Sequence, residues 1–306
     1  MNDSPPSHAT HRRLVWLLLL AAPALWSANM LVARWSSEWF PPHALALWRW
    51  LIALVPMLAI CGAALWRRRR EALREWRDLL LLGALGMWVC GAFVYIAADT
   101  TSATNIGLIY AGVPVLIMIL SAAVFRERIG LAQVLGAALA LGGVLAIIAR
   151  GDLRVLLALQ FAVGDLWAFS AAGCWAIYTV VMRFRPSSLD PFLRLAAVTI
   201  AGVLVLVPFT LVETLLVGPP PLDWRTLAAA VIVGLLPGFG AYQAYSWLLR
   251  EIGAARTSLV LYLTPVYTAA LASVLLGETV QGFHLAGAVL VLGGVWIAGR
   301  HAGRRG

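Results

Sequence analysis

Apolar residues fill the chain in long runs, and short polar segments separate them. Each run approaches the roughly 20 residues that a helix needs to cross a hydrocarbon core about 30 Å thick. Ten such helices are predicted, at about Leu14–Arg34, His43–Trp66, Leu79–Ala98, Thr101–Val124, Leu131–Ala149, Asp165–Met182, Pro191–Val212, Thr226–Leu249, Ala254–Leu276 and His284–Ala298. The stretch Gly151–Gly164 divides them, and its apolar part, Val155–Val163, is too short to span and is expected to lie in the membrane interface. A basic start followed by an apolar run has the outline of a signal peptide. The first run is too long for one, lacks a small-x-small cleavage site and carries Trp26 and Asn29 near its centre, so it reads as an uncleaved helix.

The pattern occurs twice. Residues 114–144 read PVLIMILSAAVFRERIGLAQVLGAALALGGV and residues 265–295 read PVYTAALASVLLGETVQGFHLAGAVLVLGGV. Pro114 and Pro265, Glu127 and Glu278, Gly136 and Gly287, and Gly142 and Gly293 all stand 151 residues apart. The chain therefore divides into two five-helix repeats, residues 14–149 and 164–299. An odd number of helices per repeat places the halves in the membrane with opposite orientation, an arrangement that puts a site at the repeat interface and suits alternating access.

Composition agrees with the bilayer reading. Of 306 residues 62% are hydrophobic and only 12% charged, too few charges to coat a soluble surface. In a soluble protein the net charge of +9 would suggest nucleic acid; here its distribution speaks for membrane topology and no nucleic-acid partner is expected. All 23 basic residues are arginine, as genome composition can dictate. With the N-terminus inside, seventeen lie in inner segments, four (Arg34, Arg150, Arg154, Arg225) in outer loops, and Arg49 and Arg194 within spans. That asymmetry predicts both termini on the cytoplasmic side. Cys61, Cys90 and Cys174 lie inside apolar runs, so no disulfide framework is expected.

WSANM at Trp26–Met30, Arg49 early in the second helix, Pro114 with the Glu127 loop, and their second-half counterparts resemble the EamA domain. Two EamA domains in tandem make the ten-helix members of the drug/metabolite transporter superfamily, and the likeness runs from Leu14 to Ala298. The aromatic-rich helices are similar to the YddG-type amino acid exporters. The resemblance implies a multi-pass protein of the bacterial inner membrane that exports small metabolites through a basket-shaped pore. Helices one, three, four, six, eight and nine would line that pore, with five and ten outside.

Several side chains fit such a pore. Trp26 and Asn29 share one helix face, and Trp175 and Tyr178 repeat that spacing. Tyr242, Tyr245 and Ser246 fall on one side of helix eight, Trp88 and Tyr95 lie in helix three, and Asn105, Tyr110, Ser258 and Tyr262 enter helices four and nine. Polar groups at membrane depth face the protein interior. Aromatic residues also pack helices and belt the interface, but the symmetric Trp26/Trp175 pair favours the pore. Arg49 either snorkels to the outer surface or pairs structurally, which are the simpler expectations, or attracts a substrate carboxylate. Glu127, between Arg126 and Arg128, is expected in a local ion-pair cluster. Pro114 and Pro265 read equally as basket-shaping kinks or as hinges.

No HExxH, GxSxG, His/Cys metal cluster or paired mid-membrane carboxylate occurs, so an enzyme is disfavoured and no cofactor is expected. The leading reading is a secondary transporter of amino acids, aromatic ones included. The alternative is an exporter or flippase of drugs or lipid-linked metabolites, favoured by a laterally open groove. The acidic residues sit at span ends, where water is expected to reach them, and no His stands at mid-span. Transport driven by the substrate gradient is therefore expected, with Asp99 and Asp165 as the exceptions to test.

Overall fold

In the computed structural model, which describes residues 8–101, 103–152, 154–158, 161–276 and 281–299, each apolar run becomes a helix and no described residue is in a strand. Helices answer the bilayer's demand that backbone polar groups be satisfied within the segment. The spanning helices are α1 (His8–Ser36), α2 (Pro42–Arg67), α3 (Trp76–Thr100), α4 (Ala103–Ala111 and Val113–Phe125), α5 (Leu131–Ile148), α6 (Val163–Phe184), α7 (Pro191–Val217), α8 (Trp224–Ile252), α9 (Ala254–Thr257, a 3-10 turn at Ser258–Tyr262, then Leu263–Leu276) and α10 (Gly282–Gly299). Eight are individually long and apolar enough to cross a membrane; broken α9 and shorter α10 complete the ten. Short helices Arg69–Arg74 and Arg154–Leu157 lie between spans.

Local signals set the ends. Asp190 precedes Pro191 and accepts the Phe192 and Leu193 amides at 3.1 Å, starting α7. Asp223 does the same for α8 through the Thr226 amide at 2.9 Å. Arg126 adopts φ 54° and stops α4.

Opposite orientation of the halves is visible where α5 meets its repeat counterpart α10. A Cβ on Gly136 would stand 2.5 Å from the Gly294 carbonyl oxygen, and one on Gly143 2.6 Å from that of Gly287. Gly287 is the repeat mate of Gly136, and Gly294 that of Gly143. Each glycine thus meets the mate of the other, as an antiparallel pair related by a pseudo-two-fold axis must. Without side chains the backbones approach closely, which is how helices associate in lipid. Elsewhere α7 turns Leu204, Leu211 and Leu215 outward, where lipid would cover them.

Three features depart from the sequence expectation. The backbone widens to i→i+5 bonding at Ala84–Val89 in α3 and at Gly234–Ala241 in α8, matching places in the two repeats. Glu213 lies inside α7, not beyond it, and holds the start of α2: it accepts the His43 and Ala44 amides at 3.0 and 2.9 Å and meets His43 Nδ1 at 2.9 Å. Glu127 forms no ion pair with its arginine neighbours among the described residues; it turns to the α8–α9 junction, where a Cβ on Gly253 would stand 2.7 Å from its Oε1. Glu278 lies outside the described residues.

Candidate functional site

The widened turns set up the centre of the molecule. In an α-helix each carbonyl is bonded within its own ladder, and i→i+5 stretches turn carbonyls toward other donors. Gly86 O accepts the Tyr242 hydroxyl at 3.0 Å and Met87 O accepts Trp50 Nε1 at 3.0 Å. These bonds anchor one ring from α8 and one from α2 against α3. Gly86 also has no room for a side chain, since a Cβ there would lie 2.6 Å from the Tyr178 ring.

Around these anchors the aromatic residues form one cluster. Trp26 sits edge-on to Trp175, Tyr242 and Tyr245, with centroids 5.4, 5.9 and 5.1 Å away. Trp175 stacks on Tyr178 at 5.3 Å, and Trp50 meets Tyr242 at 4.8 Å. Such edge and offset contacts suit the ring quadrupoles. The cluster draws on α1, α2, α6 and α8, hence on both repeats. Tyr178, Tyr242 and Tyr245 are all buried.

Two polar pairs flank the rings in matching positions. Tyr95 donates to Asn29 Oδ1 at 2.6 Å, and 150 residues later Tyr245 and Thr179 share a hydrogen bond at 3.2 Å. Next to the first pair lies Arg49, only 4% exposed, so the snorkelling expectation does not hold. Its Nη1 donates to Asn29 Oδ1 at 3.4 Å, its guanidinium stands 4.7 Å over Trp50 and 5.5 Å over Tyr242, and its Nε has no partner. Among the described residues no carboxylate pairs with it within 4.0 Å. A buried cation without a counter-ion costs several kcal/mol.

The remaining expected site residues fall elsewhere. Trp88 stacks on Phe209 at 3.9 Å, towards the flank of α7. Asn105 binds both oxygens of Asp165, at 3.1 and 3.0 Å, while Thr101 and the Ala162 amide also donate to that carboxylate. Asp165 is therefore buried and fully engaged, not the water-reached group expected, whereas Asp99 is exposed. Tyr110 in α4 is half-buried and packs against the main core. Ser258 donates to Ala255 O at 2.9 Å where the 3-10 turn begins, and Tyr262 packs with α5 and α10 residues, outside the ring cluster. Ser246 lines a separate cavity at the opposite end from Arg49. Trp50 and Thr179 escaped the sequence reading, though Thr179 stands 150 residues after Asn29, as Tyr245 does after Tyr95.

Outside the spans, a clasp closes the arginine-rich end. Glu75 accepts the Ser187 hydroxyl at 2.6 Å and the Ser188 amide and hydroxyl at 2.7 Å. Burial works to raise the Glu75 carboxyl, but these bonds more than offset it and hold the group below the usual carboxylate range. Arg185 pairs with Asp78 at 2.9 Å beside it.

Two inverted five-helix repeats closing on a buried aromatic and cationic centre define a multi-pass membrane carrier. The EamA-like transporter family matches residues 13–149 and 162–300. The chain belongs to that family, and with it to the drug/metabolite transporter superfamily. It is 28% identical to the uncharacterized transporter YyaM of Bacillus subtilis, over 93% of each chain. It is 27% identical to a probable amino-acid metabolite efflux pump of Salmonella typhimurium over 92% of this chain and 93% of that one, and 28% identical to a probable terminal-alkyne amino-acid exporter of Streptantibioticus cattleyicolor over 96% of each. A solved crystal structure shares the fold, with a TM-score of 0.76 and 23% identity over 95% of this chain and 98% of that one.

Proposed function

We propose that the chain is an inner-membrane exporter of amino acids, aromatic ones among them, working by alternating access with both termini cytoplasmic. Arg49 carries the reading. A buried guanidinium with a free Nε asks for a carboxylate, and the planar fork suits one well. The rings of Trp26, Trp175 and Tyr245, joined to the Tyr242 ring beneath it, offer an apolar wall for a side chain and π faces for an ammonium group. Two relatives bear names that point to amino-acid export. The rings are enclosed by helices from both repeats, which favours a soluble metabolite over a lipid-linked one.

The cargo moves down its own gradient. Asp165 is committed to three donors and Glu213 to the start of α2, so neither is poised to exchange protons with the cycle. Proteoliposomes offered a panel of labelled amino acids and drugs test both points. Counterflow of aromatic amino acids at equal pH on both sides is expected, and an imposed pH gradient should not concentrate them. Accumulation that a protonophore abolishes would replace this mechanism with proton coupling.

A further inference from the structure

A second buried arginine sits on the other side of the rings. Arg194, four residues into α7, is 7% exposed; its Nη1 donates to Met182 O at 2.8 Å and its Nε has no partner. The helices α2 and α7 run antiparallel, with Arg68 and Asp190 4.0 Å apart at one end and His43 bound to Glu213 at the other. Arg49 is near the start of α2 and Arg194 near the start of α7, so the two cations lie towards opposite ends. Arg49 stands over Tyr242, Arg194 is bonded to Met182 one turn beyond Tyr178 in α6, and the Tyr178 and Tyr242 rings are 6.2 Å apart.

Arg194 borders a cavity of about 470 Å³ at the arginine-rich end. Arg68, Arg183, Arg185 and Arg250 line it with Arg194, against the single carboxylate of Asp190. Arg68 and Arg185 are already paired, to Glu71 and Asp78. Arg183 and Arg250 have no carboxylate within 4.0 Å among the described residues. Ser246, one residue beyond Tyr245, lines the same cavity, which brings it to the edge of the aromatic cluster. Converging cations with low-dielectric walls concentrate anions.

We propose that this cavity is a loading site for the substrate carboxylate, held by Arg194 before the cargo passes the rings to Arg49. The inference rests on the amino acid reading above and adds a second station, on the cytoplasmic side in the proposed topology. The rings then separate two anion sites, and neither cation needs to cross the membrane with the cargo.

The test uses proteoliposomes of defined orientation. Arg194→Gln should raise the half-saturation concentration for phenylalanine efflux about tenfold, the size of one charge-assisted hydrogen bond, and move that for influx less than twofold. Detailed balance in a passive carrier then lowers maximal influx by a similar factor relative to efflux. Phenethylamine, which lacks the carboxylate, should show no such split. Arg194→Lys should recover part of the effect. Arg250→Gln, at the rim, gives a smaller shift in the same sense should Arg194→Gln fail to fold. Equal half-saturation on both sides in the folded variants overturns the proposal. So does an effect present in phosphatidylglycerol vesicles and absent in phosphatidylcholine, which would assign the cavity to a lipid phosphate. Benzoate titrated into purified Arg49→Gln protein reads the site without transport. Binding that Arg194→Gln weakens about tenfold supports the site even if no amino acid is carried, in which case the cargo reading alone falls. Binding indifferent to Arg194 ends the proposal.

Discussion

Arg49 and the rings around it are the parts to which the proposed function assigns recognition. In the proposed exporter the guanidinium would supply charge, with Asn29 and Tyr95 beside it, and Trp26, Trp175 and Tyr242 would supply surface. Replacing Trp26, Trp175, Tyr95 or Tyr242 singly by Ala should lower amino acid exchange tenfold or more while the protein still inserts and remains monodisperse. Wild-type exchange in all four would make the rings packing alone. Trp26 and Trp175 could be found by eye, because polar aromatic residues three apart from Asn29 and Tyr178 repeat along the chain. The burial of Arg49 could not, since a position seven residues beyond Pro42 is within snorkelling reach of the surface. Packing of α2 against α1 and α8 buries it, with Asn29, Tyr242 and Gly238 beside it.

Among the helices, the ten apolar runs are evident from hydropathy, and the 151-residue offset points to two repeats. What hydropathy does not carry is the widening of α3 and α8. It arises from packing against neighbours, and a continuous apolar run reads the same with i→i+4 or i→i+5 bonds. The repeated LGGV segments bring α5 and α10 into close contact. Gly143 faces the Gly287 carbonyl at a distance that a Cβ would reduce to 2.6 Å, while Gly142 has nothing within 4 Å of the same point. Gly143→Ala should therefore cost about 1–3 kcal/mol, the range for overpacking, and Gly142→Ala almost nothing. Thermal unfolding of the two variants in detergent compares them directly, and equal midpoints would mean that the helices separate without penalty.

Seen whole, the chain is two copies of one unit facing opposite ways, with arginine counted seventeen to four between the two sides. Reporter fusions at Arg70 and Asp223 should reach opposite compartments, the former cytoplasmic; the same compartment for both would break the ten-span topology. The halves meet at the rings, with buried Arg49 towards one end and buried Arg194 towards the other. The decisive measurement is counterflow of labelled phenylalanine at equal pH in proteoliposomes bearing either the wild-type chain or Arg49→Gln. Saturable exchange in the wild type, at least tenfold weaker in Arg49→Gln while phenethylamine exchange is untouched, is the predicted result. Phenylalanine exchange that is the same with and without Arg49 would show that the buried guanidinium does not hold the cargo.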